Sequence, residues 1–117
     1  MSGDRWQQIL REVTGVPGVR GALILSADDG LVVAESAMDA LDTADVAALA
    51  AMLVSRAGRC AAAMGTAAPT AVHLTARHGA LVAVAGPEPL WLAAVADHDA
   101  ELGRLRLLLG DFAGAIG

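Results

Sequence analysis

The chain has 117 residues, 56% of them apolar, with eight arginines, no lysine and a formal net charge of −5. That length suits one domain over residues 1–117, and the charge carries no basic stripe of the kind that nucleic-acid binding requires. Alanine supplies 27 of the apolar positions, while Val, Ile, Leu, Met, Phe and Trp together supply 37, so the composition is that of a globular chain with a modest core.

The first element is predicted as a short amphipathic helix. Trp6, Ile9, Leu10 and Val13 fall at i, i+3, i+4 and i+7, one stripe of a helical period. Asp4 with Gln7 suits an N-cap and its reciprocal partner, and Gly15 with Pro17-Gly18 stops the helix. Val19–Ala27 and Leu31–Ser36 then read as two strands around Asp28-Asp29-Gly30, a hairpin with glycine at the position needing positive φ. Both runs are nearly continuous in apolar residues, which predicts a sheet covered on both faces. A polar turn with Asp39 and Asp42 leads to Thr43, the expected cap of a long helix reaching about Met64, with Gly65 and Pro69 after its end. Thr70–Arg77, Ala80–Ala85 and Leu90–Ala96 are three further strands joined by His78-Gly79 and Gly86-Pro87-Glu88-Pro89. Asp97 or Asp99 is expected to cap a last helix with Leu102, Leu105, Leu109 and Phe112 on one side. The order is αββαβββα.

The two most apolar stretches do not read as membrane spans. Ala44–Met64 contains Asp45, Arg56 and Arg59, and Gly79–Ala96 is broken by Pro87-Glu88-Pro89. The N-terminus has charged residues where a secretory leader would have an apolar run. A soluble, cytoplasmic protein is expected.

The long helix is apolar nearly all round, which predicts burial on more than one side. At about 100° per residue, Val46, Leu49, Ala50, Leu53, Ala57, Cys60, Ala61 and Met64 form one stripe, assigned to the sheet. A second face carries Ala47, Ala48, Ala51, Val54, Ser55, Gly58 and Ala62. Such small residues let two helix axes approach closely, so this face is expected to pack on the same helix of a second copy. The plainer reading leaves it half exposed and filled with alanine. Met52, Arg56 and Arg59 occupy the remaining arc, either as a surface for a partner or as solvated side chains.

The order and several stretches resemble the roadblock/LC7 family. Pro17 to Ser26 leading into Asp29 to Ala34 is similar to that family's first hairpin, and the small-residue helix to its second helix. Leu92 to Asp97 followed by Asp99 to Gly103 is similar to its last strand entering its last helix, so the resemblance covers about residues 4 to 112. It implies an α/β (α+β) fold: a five-stranded antiparallel sheet with the long helix on one face and the terminal helices on the other. It also implies a homodimer through the long helices, with the Thr70–Arg77 strand at the joined sheet edge, which adds Val72, His73 and Thr75 to the expected interface. Bacterial relatives bind small Ras-like GTPases, some as activating partners, and often accompany a sensor kinase. The resemblance therefore implies GTPase docking at Met52, Arg56 and Arg59, or a scaffold for a sensor kinase or another roadblock protein.

No catalytic, cofactor or metal motif accompanies these features. His73, His78 and His98 are apart in sequence, and Cys60, the single cysteine, is expected in the core. The glycines at 15, 18 and 21 lack the following helix of a phosphate loop. Asp28 and Asp29 are turn formers, and Asp97 and Asp99 are explained by capping. His73 could meet its symmetry mate across a dimer edge, or be solvated. The expected function is that of a non-catalytic interaction module. A small-ligand sensor is the remaining alternative, for which the Ala-rich packing offers few groups to orient a ligand.

Overall fold

The computed structural model describes residues 2–38 and 40–116; Asp39, part of the expected polar turn, lies outside the described residues. Its elements are α1 (Ser2–Thr14), β1 (Val19–Ser26), β2 (Val32–Ala37), α2 (Thr43–Ala63), β3 (Ala71–Ala76), β4 (Gly79–Ala85), β5 (Leu90–Asp97) and α3 (Leu102–Ala113). This is the α/β order read from the sequence. The five strands form one antiparallel sheet in the order β2-β1-β5-β4-β3. Two local hairpin systems, β1–β2 and β3–β4–β5, are joined by the pairing of β1 with β5, which leaves β2 and β3 as edges.

Alternation along the central strands sends successive side chains to opposite cores. Ala22, Ile24, Val82, Leu92, Ala94 and Ala96 pack with Ile9, Leu10 and Val13 of α1 and Leu105 and Leu109 of α3. Leu23, Leu25, Ala83, Trp91 and Ala93 face the other way, onto Ala47, Ala50 and Ala51 of α2. Trp6 joins the two terminal helices through its indole N–H, which donates to the carbonyl of Ile116 at 3.0 Å. The continuous apolar run of β1 is thus covered on both faces. β2 is covered less: its residues alternate between half-buried and exposed at the sheet edge, with α1 along one face and α2 reaching the other through contacts such as Thr43 with Glu35.

The helix boundaries differ from expectation at three N-termini. Helix α1 starts at Ser2, so Asp4 lies in its first turn rather than at the cap. In α2 the cap is Asp42, whose carboxylate accepts from the backbone N–H of Asp45 at 3.0 Å, and Thr43 is the first helical residue. In α3 the cap is Glu101 with no side-chain hydrogen bond; Asp97 ends β5, and Asp99 lies in the turn between them. The C-terminus of α2 follows the glycine signal: Gly65 has φ +76°, its N–H meets the Ala62 carbonyl, and the Thr66 N–H meets that of Ala61.

Candidate functional site

Helix α2 places its small residues, not its large ones, against the sheet. Ala47, Ala50, Ala51 and Ala61 are buried and Val54 and Gly58 half-buried, so the inward stripe centres near Val54. At about 100° per residue, that is roughly 80° around from the stripe centred on Val46. The cause is size complementarity. The sheet offers Leu23, Leu25 and Trp91 here, and the backbone must come close. A Cβ on Gly30, whose φ is +71°, would stand 3.3 Å from the Cα of Ala48.

This rotation redistributes the residues expected at a dimer seam. Ala47 and Ala51 are covered by their own protomer and are removed from any outer surface. Ala48, Ser55 and Ala62 are exposed, while Val54 and Gly58 line a cleft on the flank facing the sheet's turns. Large apolar residues assigned to the core come out instead: Leu49 is 59% exposed, and Leu53 is half-buried. Cys60, expected in the core, is also exposed, with its thiol 3.9 Å from the Met64 sulfur. By length and mean hydropathy α2 could cross a membrane, yet it lies along a sheet with only 22% of its most apolar window buried. A partly uncovered apolar helix of this kind calls for a second covering surface.

The β3 edge continues that surface. Val72 packs toward α2, and Leu74, on the same side of the strand, is 50% exposed. His73 and Thr75 point to the opposite side and meet each other at 3.1 Å between Nε2 and Oγ1. Leu74 is not among the residues singled out from the sequence, although the alternation of Val72 and Leu74 with His73 and Thr75 on an edge strand was the available signal. Met52, Arg56 and Arg59 all stand exposed on the outer arc of α2, and neither arginine has a carboxylate at ion-pair distance among the described residues.

Reactive chemistry is sparse. His78 and His98, apart in sequence, meet edge-to-face with ring centroids 5.9 Å apart at the β3–β4 turn and the end of β5. Among the described residues no three His, Cys, Asp or Glu side chains gather. What the structure brings together is an exposed surface: an apolar helix flank, an edge strand and two outward arginines.

These features define a small α/β domain, a five-stranded antiparallel sheet between one long helix and two terminal helices. The chain belongs to the roadblock/LC7 domain family, whose model matches residues 6–95. No curated relative matches it by sequence. Among solved structures it is similar to "MglB with tetrameric arrangement", with 22% identity, TM-score 0.89, and coverage of 99% of this chain and 88% of the other. The gliding protein MglB of Thermus thermophilus gives 22% identity and TM-score 0.88 over the same shares. A roadblock/LC7 domain from Streptomyces avermitilis gives 22% identity and TM-score 0.84 over 93% and 92%. At such identity these likenesses speak for the fold.

Proposed function

We propose that the protein is a non-catalytic homodimer that docks a small Ras-like GTPase in the cytoplasm. One observation carries the reading: the uncovered apolar flank of α2, with Leu49 and Leu53, and Leu74 on the same side of the sheet at edge strand β3. A second copy related by a two-fold axis covers that flank with its own and pairs the two β3 edges, satisfying exposed backbone groups. The likeness to MglB structures, one of them in a tetrameric arrangement, supports self-association. The family resemblance supports the GTPase.

In the dimer, Met52, Arg56 and Arg59 from both copies form one platform beside the seam. A GTPase seated there is biased between its nucleotide states by whatever contacts differ between them. Both arginines stand on a regular helix rather than a reaching loop, so the platform acts by ordering the GTPase's own groups, not by inserting an arginine finger. A sensor kinase or another roadblock chain is a further partner for the same surface.

The test is binding of the purified protein to the Ras-like GTPases of the same organism, loaded with GDP or a non-hydrolysable GTP analogue. The reading predicts a preference of about tenfold for one nucleotide state, lost in the Arg56→Ala/Arg59→Ala double variant. Equal affinity for both states, or no complex with any of them, contradicts it. State-selective binding with an unchanged hydrolysis rate identifies a scaffold rather than an activator.

A further inference from the structure

The flank of α2 opposite Leu49 holds a cleft that neither the dimer surface nor the arginine platform uses. Its volume is about 320 Å³, and its walls are Val54 and Gly58 of α2, Pro69, and the turns carrying Asp28 and Glu88, with Trp91 lining it as well. Trp91 is 8% exposed, yet its indole N–H has no acceptor among the described residues. No sealed side-chain nitrogen or oxygen lacks a partner among the described residues, so this N–H keeps some access to solvent, and Trp91 is one of the residues that line the cleft. The contrast with Trp6, whose N–H is held by the Ile116 carbonyl, is informative, because a buried indole ordinarily finds an acceptor. Asp28 and Glu88 have no cationic partner among the described residues.

We propose that this cleft binds an extended segment of a partner protein in which a large aliphatic side chain stands next to an arginine or lysine. The apolar walls take the aliphatic group. A backbone carbonyl of the segment accepts from the Trp91 N–H, and the basic side chain lies against Asp28 and Glu88. A peptide supplies these three features in adjacent positions, and a buried tryptophan with a charged rim is the usual build of an anchoring pocket. The net charge of −5 attracts cations to the protein, and exposed Asp28 and Glu88 place negative charge at this cleft. The proposal does not rest on the GTPase reading, since the cleft is complete within one protomer.

The two tryptophans give the assay its readout: the full ¹⁵N-labelled chain has two indole N–H resonances, one held and one free. Titration with the capped peptide acetyl-Ala-Leu-Arg-Ala-amide is predicted to move the Trp91 signal and leave that of Trp6 in place. The twin peptide with glutamate in place of arginine should bind about tenfold more weakly or less. A Cβ on Gly58 meets nothing within 4 Å, so Gly58→Phe fills the cleft from an open position without adding an indole and should abolish the shift. Gly58→Met serves as the smaller plug, and the Trp6 signal reports that each variant is folded. Asp28→Asn with Glu88→Gln should erase the difference between the two peptides. An unmoved Trp91 signal in the natural chain overturns the proposal, as do equal shifts with both peptides or full binding by the folded Gly58→Phe variant. A Trp91 shift that follows protein concentration alone and vanishes in Leu107→Glu also overturns it. That result would give the cleft to a second copy through Leu107, which is 74% exposed beside Arg106.

Discussion

The hydroxyl of Thr43 donates to Oε2 of Glu35 at 2.6 Å, fastening the first residue of α2 to edge strand β2. Thr43 is the one buried polar residue among those described, and this bond satisfies it. Thr43→Val keeps the shape and removes the donor. It should cost about 1–2 kcal/mol, because the acceptor is a carboxylate that regains water when the bond is lost. Urea unfolding at fixed protein concentration measures this as a lower midpoint with an unchanged slope.

Ala51 tests how α2 is turned. It is 8% exposed and packed on its own sheet, so Ala51→Leu overfills a close contact. The expected loss is about 1–3 kcal/mol. The loss should appear in the unfolding midpoint at every protein concentration. If α2 instead presented Ala51 to a second copy, the effect would fall on the oligomer and grow with dilution.

Gly58 makes the opposite case. It lies in the interior of α2, at an ordinary helical φ, with open space where a Cβ would stand. Gly58→Ala should stabilise the protein by about 0.5–1 kcal/mol, by restricting the unfolded chain and improving helix propensity. A raised urea midpoint checks it.

Cys60 is exposed in the protomer and shares the outer flank of α2 with Leu49 and Leu53. In a dimer closed over that flank its thiol is shielded. Reaction with a disulfide reagent in native buffer should therefore be slow in the natural chain and at least about tenfold faster in a monomeric variant, since thiol reactivity follows access. Equal rates in both would place Cys60 outside the seam.

Much of this was legible in the sequence, and the exceptions share one cause. Local signals placed every element: the Trp6-to-Val13 stripe, the Asp-Asp-Gly turn, and Gly65 at the end of α2. Periodicity also showed that α2 is apolar on two faces. It did not say which face turns inward, because hydrophobicity ranks Leu above Ala while packing asks only that volumes fit. Opposite Trp91, Leu23 and Leu25 the fitting residue is alanine, so Leu49 and Cys60 were sent outward. Caps were misplaced by one or a few residues for a similar reason. Thr43 and Asp42 both suit a cap; Asp42 takes it by accepting from the Asp45 N–H, while the Thr43 hydroxyl is engaged by Glu35 of another element. The meeting of His78 with His98 depends on β4 pairing with β5, a long-range contact that no local pattern encodes.

The central claim is that the flank of α2 carrying Leu49, together with Leu74 of β3, is covered by a second copy. Solution mass by light scattering on the natural chain and on Leu49→Arg/Leu74→Arg tests it most directly. Both side chains are at least half exposed in the protomer, so the variant keeps its fold, with circular dichroism and the indole signals unchanged. The account predicts a mass near twice 11.8 kDa for the natural chain and a folded species near 11.8 kDa for the variant. A natural chain that is already monomeric, or a variant that stays dimeric, would contradict it.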